Sequence, residues 1–133
     1  MGRTHIMRSI NLFLDTDCTC TNLLECLYNL SSSDLDILIA LLRSKEPLTL
    51  ETISKHMGKD KGTIFRSLQK LVSIGFCVKE SRNLRSGGQY HTYRVVSIDL
   101  IEKTTEHRLK EIQKSLSGLM KRFKEDIQQM IEQ

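Results

Sequence analysis

The residues best suited to chemistry in this 133-residue chain are small polar and cationic ones that cluster near its middle. Lysine and arginine bind phosphate oxygens, while glutamine, serine and threonine exchange hydrogen bonds with base edges or the sugar-phosphate backbone. This combination is typical of a surface that contacts duplex nucleic acid. The candidate contacts are Lys59, Lys61, Gly62, Thr63, Arg66, Ser67, Gln69, Lys70, Arg82 and Arg85.

Two short helices are predicted to position most of these residues. In the first, over 48–57, Thr49 can cap the helix, one face repeats Leu50, Ile53 and Met57, and Gly58 ends it. The second begins after a capping Asp60 and ends at Gly75, and its buried stripe comprises Ile64, Leu68, Leu71 and Val72. The residues left on the outer face of the second helix are Lys61, Gly62, Thr63, Arg66, Ser67, Gln69, Lys70 and Ser73.

A basic hairpin is predicted to follow the second helix. Residues 76–80 alternate apolar and polar, residues 83–88 are rich in turn formers, and residues 90–96 are rich in β-formers. Arg82 and Arg85 then lie near the tip of a two-stranded wing. This order of elements predicts a winged helix-turn-helix.

The positive charge is concentrated in the same segment. From Lys59 to Arg94 the chain has eight Lys or Arg against Asp60 and Glu80, a net charge of +6, whereas the whole chain carries +4. All other residues therefore sum to −2. A basic segment with docking geometry is the electrostatic pattern expected of a protein that binds double-stranded DNA.

The segment also resembles a known family. Residues 62–76, GTIFRSLQKLVSIGF, and residues 84–94, LRSGGQYHTYR, are similar to small archaeal transcription regulators of the TrmB-like branch, within a superfamily that includes MarR-type regulators. The resemblance covers roughly residues 35–94 and implies a winged helix-turn-helix that usually dimerises. Sugar-responsive members carry a large effector domain that this chain is expected to lack, so sugar sensing is not implied.

Two further helices are predicted upstream of this segment and one downstream. Residues 20–30 have helical apolar spacing, and a capping box of Ser33 and Asp36 is predicted for a core helix that ends near residues 45–46. A helix over residues 98–131 would extend about 50 Å, so its apolar stripe needs a partner. We expect a second copy of the chain to cover the stripe, which comprises Leu109, Ile112, Leu116, Leu119, Phe123, Ile127 and Met130.

The four thiols leave two interpretations open. Cys18, Cys20, Cys26 and Cys77 are numerous enough for a zinc or redox site, but they lack paired C-x-x-C spacing. The favoured interpretation makes Cys26 and Cys77 small core residues and leaves Cys18 and Cys20 exposed. The alternative is a thiol- or metal-responsive regulator, and no cofactor or metal is otherwise expected.

No catalytic motif is recognisable, so an enzyme is not expected. A homodimeric, sequence-specific DNA-binding transcription regulator is favoured. Its recognition helix, about 61–74, would enter the major groove, and its wing, about 76–96, would contact the flanking backbone or minor groove. A protein-interaction module of a transcription complex is the main alternative. Binding to single-stranded nucleic acid or RNA is less favoured because aromatic residues are few.

The expected fold class is mainly α with a small β-hairpin. Its expected parts are a tail at 1–19, a winged helix-turn-helix domain at 20–96 and a long amphipathic dimerisation helix at 97–133. Residues 1–6, ahead of Met7, are interpreted as an expression-tag remnant or an alternative start. The absence of a membrane-spanning or secretory segment predicts a cytoplasmic protein that contacts DNA, a second copy and the transcription machinery, but no membrane.

Overall fold

The computed structural model describes residue 14 and residues 19–133. In this part of the chain it has five helices and one two-stranded antiparallel sheet, which confirms the predicted fold class. The helices are α1 (Cys20–Tyr28), α2 (Ser32–Arg43), α3 (Leu50–Met57), α4 (Lys61–Ser73) and α5 (Ile98–Glu132). The strands are β1 (Cys77–Asn83) and β2 (Gln89–Val95).

The helix-turn-helix pair forms as its capping residues predict. The side chain of Thr49 accepts a hydrogen bond from the backbone N–H of Thr52, and that of Asp60 accepts one from the N–H of Thr63. Gly58 ends α3 with φ +65°, a conformation that costs glycine little because it has no Cβ. The turn that separates α3 from α4 is therefore set by local chemistry.

The start of α2 differs from the prediction. The capping box consists of Ser31 and Asp34 instead of Ser33 and Asp36, and each side chain bonds the backbone N–H of the other residue. Three consecutive serines allow either pair at the same spacing. The observed pair places the Asp34 carboxylate where α4 can donate to it, whereas Asp36 is exposed. The helix also ends earlier than predicted, at Arg43.

The core lies among α2, α3, α4 and the base of the hairpin. Its fully buried side chains come from each of these elements, and they are Ile37, Leu38, Ile53, Ile64, Leu68, Leu71 and Phe76. The Tyr28 ring of α1 meets Phe76 edge-on at 4.9 Å between centroids. The predicted stripe of α4 is therefore buried through Leu71, while Val72 is half-buried.

The hairpin pairs Cys77 with Val95 at its base and Asn83 with Gln89 at its tip. Residues 84–88 form the connecting loop. Sequence inspection missed a further pairing, in which Leu48 and Tyr93 exchange backbone hydrogen bonds of 2.7 and 2.9 Å. This bridge ties the segment before α3 to the wing, so the wing is anchored to the helical core by backbone as well as side chains.

Among the described residues, those from 19 to 98 lie in one compact unit and Asp99–Gln133 form a second. Within the second unit, α5 carries large apolar side chains that are 41–77% exposed: Leu116, Leu119, Met120, Phe123, Ile127, Met130 and Ile131. Leu109 and Ile112 are half-buried. None of the described helices combines the length and apolar content needed to cross a bilayer.

Candidate nucleic-acid interface

The outer face of α4 exposes several of the predicted contact residues. Lys61, Gly62, Arg66 and Gln69 are exposed, and the Lys61 ammonium lies 3.9 Å from Glu51 with both side chains more than 60% exposed. An ion pair that is so open to solvent contributes little, and its lysine can exchange the carboxylate for another anion. This face therefore presents an ammonium, a guanidinium and an amide group to solvent.

The first turn of α4 is held by its capping residue. The Thr63 hydroxyl donates to Asp60 at 2.6 Å and accepts from an Arg66 guanidinium nitrogen at 3.3 Å. Hydrogen bonds from the Thr63 side chain and backbone lower the pKa of Asp60 below its usual value. Thr63 is consequently engaged within the protein, and it orients Arg66.

Ser67 does not lie on the outer face, contrary to the prediction. It is buried, and its hydroxyl donates to Oδ1 of Asp34 at 2.5 Å. Lys70, one turn further from the helix start than Arg66, donates to Oδ2 of the same carboxylate at 3.1 Å. Ser67 and Lys70 therefore join α4 to α2, and Asp34, a residue that sequence inspection did not select, connects them.

The Asp34 carboxylate is charged despite its burial. Desolvation alone would raise its pKa, but hydrogen bonds from Ser67, the Ser31 backbone and Lys70 outweigh that effect, so the pKa lies below its usual value. The Ser31–Asp34 capping spacing was the available signal for this residue in the sequence. The contacts with α4 were not visible there, because they join residues more than thirty positions apart.

Lys59 is half-buried, and its ammonium donates to the Ser33 hydroxyl on α2. Between α2 and α4 lies an open cleft of about 510 Å³, lined by polar and charged residues. Its walls include Ser31, Ser33, Arg66, Gln69 and Lys70. The first turn of α2 thus borders the same cationic face as α4.

The wing presents a second set of cations. Arg82 and Arg85 are both exposed, and Gly87, with φ +90°, allows the tight turn that follows Arg85. Arg94 is neutralised by Glu80 at 2.9 Å, and the Lys79 ammonium lies over the Phe65 ring at 5.8 Å from its centroid. The two arginines of the wing that have no ion-pair partner within 4.0 Å among the described residues, Arg82 and Arg85, are therefore near its tip.

Three arginines of the basic segment form no ion pair within 4.0 Å among the described residues: Arg66, Arg82 and Arg85. We call them the free arginines. An unpaired guanidinium can make bidentate hydrogen bonds to a phosphate or to a guanine without first leaving a carboxylate partner. One lies on α4 and two lie on the wing.

Comparison with known proteins identifies the family. The model of a family described as sugar-specific transcriptional regulator TrmB matches residues 24–99, which is more than half of the chain. The chain belongs to the TrmB family. The predicted resemblance is thereby confirmed, and the matched residues include the helix-turn-helix and the whole wing. Because TrmB-family proteins are transcription regulators and not enzymes, the chain is a DNA-binding transcription regulator with a winged-helix fold.

Several archaeal proteins are similar to this TrmB-family chain. An uncharacterized protein of Methanocaldococcus jannaschii, MJ1503, is 25% identical over 115 residues, covering 81% of the chain and 86% of its own length. A structure described as a possible transcriptional regulator of Methanosarcina mazei aligns with a TM-score of 0.71 at 22% identity, covering 80% of the chain and 92% of its own.

A second structure, of the ST1889 protein of Sulfolobus tokodaii, aligns with a TM-score of 0.60 at 19% identity. It covers 72% of the chain and 93% of its own. At these identities the two structures establish the shared fold of the TrmB-family chain and nothing about its ligands.

The thiols of this TrmB-family protein lie in different surroundings. Cys77 is buried, Cys26 is half-buried and Cys20 is exposed, while Cys18 lies outside the described residues. Burial raises the pKa of Cys77 to about 12. Within residues 19–133 no three His, Cys, Asp or Glu side chains come together as a metal site would require. A thiol- or metal-responsive site remains a hypothesis that rests on Cys18 and Cys20.

Proposed function

We propose that the protein binds specific sequences of double-stranded DNA as a homodimer and thereby regulates transcription. In each copy α4 enters the major groove, and the wing contacts the flanking backbone or minor groove. The observation that carries the proposal is the placement of the free arginines, one on the outer face of α4 and two on the wing.

The two parts of the surface suit different parts of the duplex. On α4, exposed Gln69 can pair with adenine, and Arg66 can pair with guanine or a phosphate. Gly62 has no side chain, which lets the backbone at the helix start approach a phosphate closely. Lys59 and Lys61 supply further positive charge beside Gly62.

The wing carries Arg82 and Arg85. These two side chains suit a narrow, electronegative minor groove or the phosphates along it.

Dimerisation is proposed from α5. Its apolar stripe is exposed on the single chain, and exposed contiguous apolar surface of this kind marks an interaction site. A second copy has an identical stripe, so the two stripes can pack against each other and both become buried. Two copies of α4 would then read half-sites separated by about 34 Å or a multiple of it, one turn of B-DNA.

A salt titration of DNA binding tests the proposal. Three free arginines in each copy give about six phosphate contacts in a dimer, and Lys59 and Lys61 can add to them, so log affinity should fall against log salt concentration with a slope of about −5 or steeper. Fluorescence anisotropy with a random-sequence duplex of about 30 base pairs gives this slope. Selection of bound fragments from genomic duplexes tests specificity, and tight binding to particular fragments is expected.

Arg66→Gln should flatten the slope by about 0.9 for each copy bound. Lys45→Gln is the matched control, because Lys45 follows the C-terminal end of α2 whereas the cationic face borders its N-terminal end. The control should leave the slope unchanged. Equal effects of the two substitutions, or the absence of salt-dependent binding, would refute the proposed role of α4 and favour a protein-interaction module.

A further inference from the structure

The buried carboxylate of Asp34 lies directly behind the cationic face of α4. Its two oxygens accept hydrogen bonds from the Ser31 backbone at 2.9 Å, the Ser67 hydroxyl at 2.5 Å and the Lys70 ammonium at 3.1 Å. The Asp34 side chain is 7% exposed and that of Lys70 is 38% exposed. One end of this ion pair is thus inside the protein, and the other is at the surface.

Lys70 would otherwise be well placed to bind a phosphate. It follows Arg66 by four residues, so the two side chains are neighbours on α4, and both line the cleft beside α2. The carboxylate at 3.1 Å gives the pair no net charge. A phosphate that approaches the Lys70 ammonium therefore meets the repulsion of Asp34 as well as the attraction of the lysine.

The same carboxylate cannot easily release the lysine. A buried charge that loses its partner is left desolvated without compensation, which is costly. The exposed Lys61–Glu51 pair has no such constraint, because water can replace either partner. Two lysines on α4 have acidic partners. Lys70 is therefore the one whose partner prevents it from binding another anion.

We propose that Asp34 is a positioning residue that withholds the charge of Lys70 from the DNA backbone and so limits sequence-independent affinity. This inference rests on the proposed contact between the outer face of α4 and DNA. Because Asp34 bonds both Ser67 and Lys70, it also joins α4 to the first turn of α2, so one carboxylate sets the position of the helix and its available charge.

Asp34→Asn tests the proposal, because it removes the charge with little change in shape and keeps an acceptor oxygen for Ser67. The freed Lys70 should then add one phosphate contact for each copy bound. The slope of log affinity against log salt should steepen by about 0.9 per copy, and affinity for a random-sequence duplex should rise about fivefold to tenfold per copy at about 0.1 M salt. Anisotropy titrations of the wild-type chain and the variant give both quantities.

A purely structural Asp34 predicts the opposite result. In that case Asp34→Asn would lower both the affinity for DNA and the melting temperature, and the slope would not steepen. This result would overturn the proposal. The double variant Asp34→Asn, Lys70→Gln removes both charges, and its slope should equal that of the wild-type chain. A slope flatter than wild type by about 0.9 per copy would show that Lys70 already contacts phosphate, and would also overturn the proposal.

The double variant decides the question even if Asp34→Asn does not fold, because it leaves no unpaired charge behind. Circular dichroism shows which chains are folded before titration. Absence of salt-dependent binding by the wild-type chain would refute the proposed function and this inference together. Wild-type binding with an unchanged or flatter slope in Asp34→Asn, or with a flatter slope in the double variant, would refute this inference alone.

Discussion

Leu119→Glu should dissociate the proposed dimer. Leu119 lies within the apolar stripe of α5 and is 52% exposed on the single chain. In a dimer built on this stripe it would be covered by the second copy. A glutamate there would either carry its charge into an apolar interface or hold the two helices apart.

The expected magnitude follows from the exposed fraction. Burying a whole leucine side chain is worth about 1.5–3 kcal/mol, so covering the exposed half of Leu119 contributes about 1 kcal/mol. The substitution removes this contribution twice in a dimer, and partial desolvation of each carboxylate costs about 1 kcal/mol more. The total of about 4 kcal/mol corresponds to dimerisation about 1,000-fold weaker.

Sedimentation equilibrium between about 1 and 100 µM measures this change. Gln128→Glu introduces the same side chain on α5 at an exposed position away from the stripe, and it should leave the dissociation constant within about threefold of wild type. Two results would contradict the reasoning: a Leu119→Glu chain as dimeric as the control, or a wild-type chain that stays monomeric at 100 µM while it binds two half-sites.

Further predictions concern the Asp34 contacts and the thiols. Ser67→Ala should lower the free energy of unfolding, measured in urea, by about 1.5–3 kcal/mol, because it removes a buried hydrogen bond to a carboxylate. The control Ser73→Ala, at an exposed position, should lower it by less than about 1 kcal/mol. Similar losses in the two variants would contradict the buried hydrogen bond. The lowered pKa of Asp34 stabilises the fold above the ordinary carboxyl pKa of 3.8, and this contribution is lost as the pH falls through the lower, folded-state pKa. The stability difference between wild type and Asp34→Asn should therefore shrink below about pH 3.8 in urea titrations, and a constant difference would show that the carboxylate is not preferentially charged in the folded state. In a short iodoacetamide pulse at about pH 8, exposed Cys20 should be alkylated, while buried Cys77, with its raised pKa, should be protected until the protein unfolds. Peptide mass spectrometry measures the labelling, and equal labelling of Cys20 and Cys77 in the folded protein would disprove the prediction.

Local elements were predictable where neighbouring residues determine the backbone. Thr49 and Asp60 cap the two helices, and Gly58 ends α3, because each acts on backbone groups within a few positions of itself. The buried stripe of α4 followed from helical periodicity, and the wing followed from alternation around a glycine-containing turn. The predicted family resemblance rested on these same segments, and the family match covers them.

The errors have a common physical origin. Ser67 was predicted to lie on the outer face because periodicity assigns polar residues to the outside of an amphipathic helix. A buried polar residue breaks this rule when another element supplies its partner, and here the partner is Asp34, thirty-three residues before Ser67. The capping box was assigned to Ser33 and Asp36 for the same reason, since Ser31 and Asp34 have identical spacing and only packing against α4 distinguishes them.

The amino-acid sequence by itself determined the class of fold, the helix-turn-helix, the wing and the excess of positive charge over both, because these depend on short-range periodicity, capping and composition. Only the tertiary structure decided which of the cations are free. Arg66, Arg82 and Arg85 have no ion-pair partner among the described residues, whereas Lys70 and Arg94 are paired with Asp34 and Glu80. Charge pairing depends on distances between residues that are far apart in the chain, and folding alone brings those residues together.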